Sequence, residues 1–537
     1  MLLFNRFPVI PSSLRTPQVI NSNIEIVPIN DVNIEVSWVE PKGLVSLKPY
    51  KYYVYMSNSD NISNATEIES NGVLVSPELG VEVTSINLSK ELFKEYRYIN
   101  VLSVSQKSQK TAISSVSHSM PKYADFIYLN FEDDPLTTMT IQWHTLNDLN
   151  PDGAVLYREE DSSDEWLSVT GSVRDMPVTD NNRKIHWTKL EGLNPETGYE
   201  FKFNGDTLGA QYKFKTLPAN LEGGKEIRIA SSSDAHGTPD TNILTLSKCM
   251  GGTVPEGFDA DLIVGVGDYT YDDGEVGLSY TQLWINLLNV FTQSFINSEG
   301  YLIPFIPAIG NHDTLRQKNS SILAPGNAPN FESLFAFPTQ PLVDGIQYPF
   351  YGHLEFGDYL QLMVLDTSWG SQSHWSELTP WIQSKIRPDI KHILPVCHVP
   401  HYSYRMGTES KDTSRIQAWC PIFENAGVNV MLEGHNHNYA RTYEIKNDTI
   451  VPDNSGGIKF VGQGTWRYVR PHNNLQEDGT IANPPVYFED YKFSNYNTHN
   501  ARHFHGIILT EDKIKVQAIR YSGEVFHEFE RGVQNDL

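Results

Sequence analysis

From residue 227 onward the chain repeats one pattern, an apolar run followed by a short segment of carboxylate, amide and imidazole side chains. Ile227-Arg-Ile-Ala-Ser-Ser leads into Asp234-Ala-His236, and Ala260 to Val266 leads into Gly267-Asp268-Tyr-Thr-Tyr271. Pro304 to Ile309 leads into Gly310-Asn311-His312-Asp313, Ile393 to Val396 into His398-Val-Pro-His401-Tyr402, and Val428 to Leu432 into Gly434-His435-Asn-His437. Such runs fit strands buried on both faces, as in sheets covered by helices. Leu244 to Lys248, Tyr280 to Phe295, Trp381 to Ile386 and Ala418 to Ala426 lie between them and read as helices. Phe350–Phe356 and Tyr359–Leu365 read as adjacent strands around a Gly357-Asp358 turn, and alternation from His503 to Phe529 adds more β-structure. Strand, polar loop and helix in alternation define an α/β layered domain, whose functional groups collect beyond the strand carboxyl ends.

A chain of 537 residues is long enough for several domains, and the pattern above leaves the first 220 residues to something else. Ile24-Glu-Ile-Val, Ile34 to Trp38, Tyr52 to Tyr55, Val81-Glu-Val-Thr and Tyr96 to Val104 are short and strand-like, as expected of a β-sandwich. Met139 to Trp143 and Ala154 to Tyr157 repeat that pattern, followed by Leu193-Asn-Pro195-Glu-Thr197-Gly-Tyr199. This last run resembles the fibronectin type III module, in which the Tyr anchors a corner between two sheets. The expected organisation is α+β and multidomain: an extension over 1–17, fibronectin-like sandwiches over 18–120 and 121–218, and a four-layer α/β/β/α catalytic domain over 225–537. Thr216 to Gly224 is a linker by composition.

The net charge of −24 makes a duplex nucleic acid an unfavourable partner. A small phosphorylated substrate remains compatible, because bound cations dominate the field of a site. No apolar run is long enough to predict a membrane span, and the N-terminus lacks the features of a signal peptide, leaving extracellular and particle-associated locations both open. Three cysteines, Cys249, Cys397 and Cys420, do not make a disulfide framework; Cys397 reads as a buried core thiol.

The five polar segments offer what a dinuclear hydrolytic site needs: a carboxylate able to bridge two cations, further oxygen and imidazole donors, and room for water and substrate. Asp268 is the natural bridge. Asp234 and His437 suit one metal; Asn311, His398 and His435 suit the other. The set resembles the calcineurin-like metallophosphoesterases, and more narrowly the purple acid phosphatases. The family's Gly-Asp-x-x-Tyr, Gly-Asn-His-Asp/Glu and Gly-His-x-His are matched in full at Gly267–Tyr271, Gly310–Asp313 and Gly434–His437. His398 to Tyr402 and Gly434 to Arg441 resemble the plant-type enzymes, which also carry a fibronectin-like domain ahead of the catalytic one. The resemblance covers about residues 122 to 530, and the first sandwich is additional.

One departure matters. Where the purple enzymes have Asp-x-Gly, this chain has Asp234-Ala-His236, the version of the wider superfamily in which the His ligates metal. It also keeps Tyr271, the residue that in purple enzymes binds Fe(III) as tyrosinate. His236 is expected as a ligand; Tyr271 has two readings, ligand or packing group. The resemblance implies two metal ions, either Fe with Zn or Mn or two divalent ions. It implies hydrolysis of a phosphate monoester by a metal-bound hydroxide, with His312 as the acid for the leaving oxygen and Asp313 orienting it. His401 is read as a phosphate contact or a surface group, Tyr404 and Arg405 as residues of the substrate mouth, and Arg441 as structural. Two other readings stand beside this one: a phosphodiesterase or nucleotide-pyrophosphate hydrolase, and a component docked through its N-terminal sandwiches to a larger assembly such as a viral particle.

Overall fold

A computed structural model describes residues 24–533 apart from 29–32, 40–48, 58–63, 90–91, 93–97, 106–107, 109, 114–117, 120–123, 147–152, 179–182, 205–209, 238–240, 316–327, 338–349, 369–371, 463–465, 468, 477–479, 482 and 495–501. The first 17 residues, expected as an extension, lie outside the described residues.

Residues 24–119 belong to one compact unit and residues 124–204 and 210–533 to another. In the first, Ile24–Pro28, Asn33–Trp38 and Ser85–Ser89 form one antiparallel sheet. Pro49–Ser57 and Tyr98–Ser105 centre a second sheet. Alternation along Asn33–Trp38 buries Ile34, Val36 and Trp38, and the Trp38 ring meets Tyr52 edge-on at 5.3 Å. The structure departs from the sequence reading at two places. Val81 to Thr84 is a turn preceding the strand, its side chains largely exposed. Ala65–Asn71 is a short helix, started by Asn64, whose side chain accepts a hydrogen bond from the Glu67 N–H at 3.0 Å.

The second unit begins with a sandwich of two four-stranded antiparallel sheets built from Asp125–Asn130, Met139–Leu146, Arg183–Leu190 and Ser172–Asp175, and from Leu167–Thr170, Ala154–Glu159, Gly198–Phe203 and Tyr212–Lys215. Trp143 fills its core against Phe203 (4.4 Å) and His186 (4.9 Å, stacked). Tyr199 makes the expected corner, its hydroxyl accepting the Asn194 N–H at 2.8 Å. The sandwich is joined to the layered part by buried polar bonds: the Tyr128 hydroxyl and the Gln142 amide both donate to the Leu334 carbonyl, at 2.6 and 2.8 Å.

The layered part is two sheets, each with its own helices and core. The elements are β1 (Ile227–Ser232), α1 (Thr241–Gly251), β2 (Leu262–Val266), α2 (Leu278–Ser294), β3 (Phe305–Ala308), α3 (Pro329–Leu334), β4 (Gly352–Phe356), β5 (Leu360–Leu365), α4 (Gln372–Lys385), β6 (His392–Cys397), β7 (Tyr402–Arg405), β8 (Thr408–Lys411), α5 (Thr413–Asn425), β9 (Val430–Glu433), β10 (Tyr439–Thr442), β11 (Lys459–Gly462), β12 (Phe488–Lys492), β13 (His503–Leu509), β14 (Lys513–Arg520) and β15 (Val525–Gly532). The first sheet runs β3-β2-β1-β13-β14-β15, with β1, β2 and β3 parallel. The second runs β4-β5-β6-β9-β11-β10-β12, with β5, β6, β9 and β11 parallel. Trp284, Leu287, Leu288 and Phe291 recur at helical spacing on α2 and pack with α1 and the first sheet. Trp381 and Ile382 of α4 pack with Trp419 and Phe423 of α5 and the second sheet. The β7–β8 hairpin and α3 were not foreseen from sequence.

In a parallel sheet all carboxyl ends point the same way. The loops after β1, β2 and β3 therefore share one edge of the first sheet, and those after β6 and β9 share one edge of the second. The two edges meet: the His398 ring bonds the Val266 carbonyl at the end of β2, and the His435 N–H donates to Asp234 after β1.

Candidate metal centre

Three close pairs among the expected ligands join a loop of one sheet to a loop of the other. His437 Nε2 lies 3.0 Å from Asp234 Oδ1, His398 Nε2 lies 3.2 Å from Asp268 Oδ2, and His435 Nδ1 lies 2.8 Å from Asn311 Oδ1. The ligating atoms of Asp234, His236 and His437 lie within 4.8 Å of one another, as do those of Asp268, His398 and His435. The structure thus brings seven expected donors into two adjoining groups, with Asn311 completing the second.

The backbone is forced to make this possible. Asp234, His236, Asp268, His435 and His437 all have φ between 54° and 76°, the left-handed region that costs a residue with a side chain about 1–2 kcal/mol. Five such residues at one locus mark a site where the surrounding fold holds strain. Gly310 permits the closest approach: a Cβ there would lie 2.1 Å from the Asp268 amide nitrogen.

Whether these side chains suit cations can be judged from their unused lone pairs. Asp234 Oδ2 accepts from the Ser233 hydroxyl (2.5 Å) and the His435 N–H (3.0 Å), and Asp268 Oδ1 accepts from the His312 N–H (2.8 Å). The opposite oxygens, Asp234 Oδ1 and Asp268 Oδ2, are buried with no hydrogen-bond donor. His398 Nδ1 faces the Val266 carbonyl at 2.6 Å and so carries the proton, which aims the Nε2 lone pair at the Asp268 carboxylate. Lone pairs converging in a buried space require positive charge between them. In the metal-free protein a proton supplies it. Burial works against the His398 imidazolium, but the adjacent Asp268 charge outweighs it and lifts the group to about 9. Burial likewise opposes ionisation of Asp234, yet His437, His398 and His236 together hold it below the usual carboxylate range. Burial pushes His236 and His435 down to about 3, so both keep their lone pairs available for a metal across the acidic range. The residues fit a pair of cations.

Tyr271 stacks on His312 at 3.7 Å, lies 4.0 Å from the His236 ring, and holds its hydroxyl 3.5 Å from His437 Nε2. Burial, reinforced by Asp268 and Asp234, raises its phenol and favours the protonated form. His312 is only partly buried, at the rim.

Three expected roles are corrected. Asp313 does not orient the His312 ring. Its Oδ2 accepts the N–H groups of Asp268 (2.8 Å) and Gly310 (2.9 Å), and its Oδ1 those of Tyr269 (2.9 Å) and Thr270 (3.2 Å). It buckles two ligand loops together, because its fully buried position reaches main chain and not the rim. Burial and the charges of Asp268 and Asp272 push its pKa up, which favours the protonated acid. Yet with both oxygens accepting from amides, the proton has no place to sit and the carboxylate form is the one that fits. Asp273, unremarked in the sequence, takes the ring: its Oδ1 is 2.7 Å from His312 Nδ1. An Asp two positions past Tyr271 was visible, but nothing local said where it pointed.

His401 is neither a phosphate contact nor a surface group. It is fully buried, with Nδ1 2.8 Å from Glu433 Oε1 and its ring 5.4 Å from Phe460 in the second core. Burial lifts the Glu433 carboxyl to about 8 and drives His401 well down, so the two share a hydrogen bond in the interior and not a charge at the site. With Cys397 they form a third, separate buried group of potential ligands. All three cysteines are buried and unpaired. Tyr404 also leaves the mouth: it is buried, its hydroxyl 2.6 Å from His472 Nε2. Arg441 pairs with Glu489 at 2.8 Å, as a structural residue should. Arg405 does line a cleft of about 700 Å³ that reaches His435 and Asn436.

Two helix-backed sheets thus bring their parallel-strand loops together around paired carboxylate and imidazole groups, a frame suited to holding cations. Residues 124–216 match the purple acid phosphatase N-terminal domain, and residues 227–439 match the calcineurin-like phosphoesterase family. Residues 227–439 thus form a calcineurin-like phosphoesterase domain, preceded by a purple acid phosphatase N-terminal domain. It is similar to an uncharacterised protein of Mycobacterium tuberculosis, 22% identical over 345 residues that cover 60% of this chain and 62% of that one. It is also similar to purple acid phosphatase 21 of Arabidopsis thaliana, 23% identical over 399 residues, 72% of this chain and 83% of the other. The structure of a purple acid phosphatase from yellow lupin seeds superposes with a TM-score of 0.59 and 13% identity, covering 93% of this chain and 92% of that one, which is a likeness of fold. No helix among the described residues is long and apolar enough to cross a membrane.

Proposed function

We propose that the protein hydrolyses small phosphate monoesters at this centre. The observation that carries the reading is the pair of buried donor groups, Asp234 with His236 and His437 beside Asp268 with Asn311, His398 and His435, both next to His312 at the rim. Asp268 would be the carboxylate that serves both cations, its Oδ2 turned to His398 and free of any other donor. Two cations there would polarise the phosphoryl oxygens and make water acidic near neutral pH. With His236 in the first group, both are proposed to be divalent and Tyr271 to act as a packing group.

The protein's own contribution is binding, orientation and proton transfer. Asp273 fixes the His312 ring through Nδ1, which leaves Nε2 to give its proton to the departing alkoxide. His312→Ala is expected to lower kcat on an alkyl phosphate by about 10²-fold or more, and on 4-nitrophenyl phosphate, whose leaving group needs no proton, by far less. Asp273→Asn should give the same leaving-group dependence in milder form. Equal losses on both substrates would remove His312 from the role of acid.

The deciding experiment is turnover of matched phosphomonoester and phosphodiester substrates by metal-stripped protein reloaded with Fe, Mn or Zn, singly and in pairs. Preference for the diester would replace this reading with a phosphodiesterase, and no turnover with any metal would end it.

A further inference from the structure

Two arginines beside the metal-ligand loop pair with no acid among the described residues. Arg405, at the end of β7, places Nη1 3.5 Å from His435 Nε2. Arg470 donates its backbone N–H to the His437 carbonyl at 2.7 Å, and its Nη1 lies 4.0 Å from Met406 Sδ, next to Arg405 in sequence. The two guanidinium groups therefore flank Gly434–His437, the loop that supplies a histidine to each donor group. Neither makes an ion pair among the described residues, and Arg470 Nε is buried with no acceptor. The chain carries 65 acidic and 41 basic residues, so an unpaired arginine is against the general trend, and two held together repel each other.

Their position relative to the donors is informative. The His435 ring turns Nδ1 inward to Asn311 and Nε2 outward to Arg405. Arg405 thus stands one imidazole width outside the donor atoms, on the wall of the cleft. A phosphoryl group held by cations at the donors could not also fill that position, whereas a group bonded to it could. A planar guanidinium fork suits phosphate oxygens, and its charge cannot be lost at any working pH.

We propose that Arg405 and Arg470 form an anion subsite for a second phosphoryl group, so that the favoured substrates carry two linked phosphates, as in a phosphoanhydride. The proposal rests on the phosphoesterase reading of the donor groups. It is tested by binding, without turnover, using calorimetry on Mn(II)-reconstituted full-length protein with methylphosphonate and with methylenediphosphonate. The unaltered protein should bind the diphosphonate about 30-fold more tightly, a difference of the size a charge-assisted bidentate contact supplies. In Arg405→Gln/Arg470→Gln, with folding checked by circular dichroism, that ratio should fall to within about threefold of unity. A ratio unchanged in the double variant, or no preference in the unaltered protein, would overturn the subsite while leaving the phosphoesterase reading intact. Failure to bind either phosphonate would overturn both, and would be accompanied by no turnover in the metal-reloading experiment.

Discussion

Asp268→Asn is expected to reduce turnover at least about 10³-fold while the protein stays folded. The substitution is nearly isosteric, and Oδ1 still accepts the His312 N–H. Where the carboxylate presents Oδ2, the new amide can donate to His398 Nε2, so no lone pair is left facing another. What disappears is the negative charge that the two donor groups share. Metals at sites of this kind depend on carboxylate charge and on imidazole nitrogens freed of protons. Both cations should bind more weakly, and metal content by mass spectrometry should fall from two per chain. Retention of more than about a tenth of the activity, or full metal content with lost activity, would show that Asp268 does not bridge.

The second large effect is on stability, from a residue that touches no ligand atom directly. Asp313→Asn replaces one of two oxygens that accept four backbone N–H groups with an amide donor. At least one loop amide is then buried facing another donor. Hydrogen bonds to a charged acceptor contribute about 1.5–3 kcal/mol each, and an unsatisfied buried donor costs about 1–3 kcal/mol. A loss of about 3 kcal/mol or more follows, and at a few degrees per kcal/mol the calorimetric melting transition containing the catalytic unit should fall by about 5–10 °C. Metal affinity should fall with it, because the loops carrying Asp268 and Asn311 are the ones released. Asp313→Ala, which abandons all four amides, should be worse. An unchanged transition in both variants would refute the buckle.

The contrast between Asp313 and His312 shows where sequence reading reaches its limit. Both lie in Gly-Asn-His-Asp, and neighbours in a loop invite the idea that one orients the other. In the folded chain Asp313 turns inward to main chain and His312 turns out to Asp273, contributed by another loop. His401 fails similarly. The sequence alone admits a phosphate contact or a surface group there, but the turn into β7 buries it on Glu433. Arg470 gave no signal at all, since its place follows from one backbone bond to His437.

The donors were legible for a physical reason. A strand buried on both faces must be apolar along its length, so polar residues gather where it ends, and the change from one to the other is local and readable. Type and order of the donors and the α/β grammar came from such local rules. Which loops meet is not local. Asp234 finds His437, Asp268 finds His398 and Asn311 finds His435 only because two separate parallel sheets, each with its own helices and core, pack with their carboxyl-end loops together. The sequence by itself determined which chemical groups would stand at the strand ends. Tertiary packing decided which of them share a cation site, which face the cleft and which are buried in the core, because those outcomes depend on contacts between residues far apart in the chain, from 32 positions for His401 and Glu433 to 201 for Asp234 and His435.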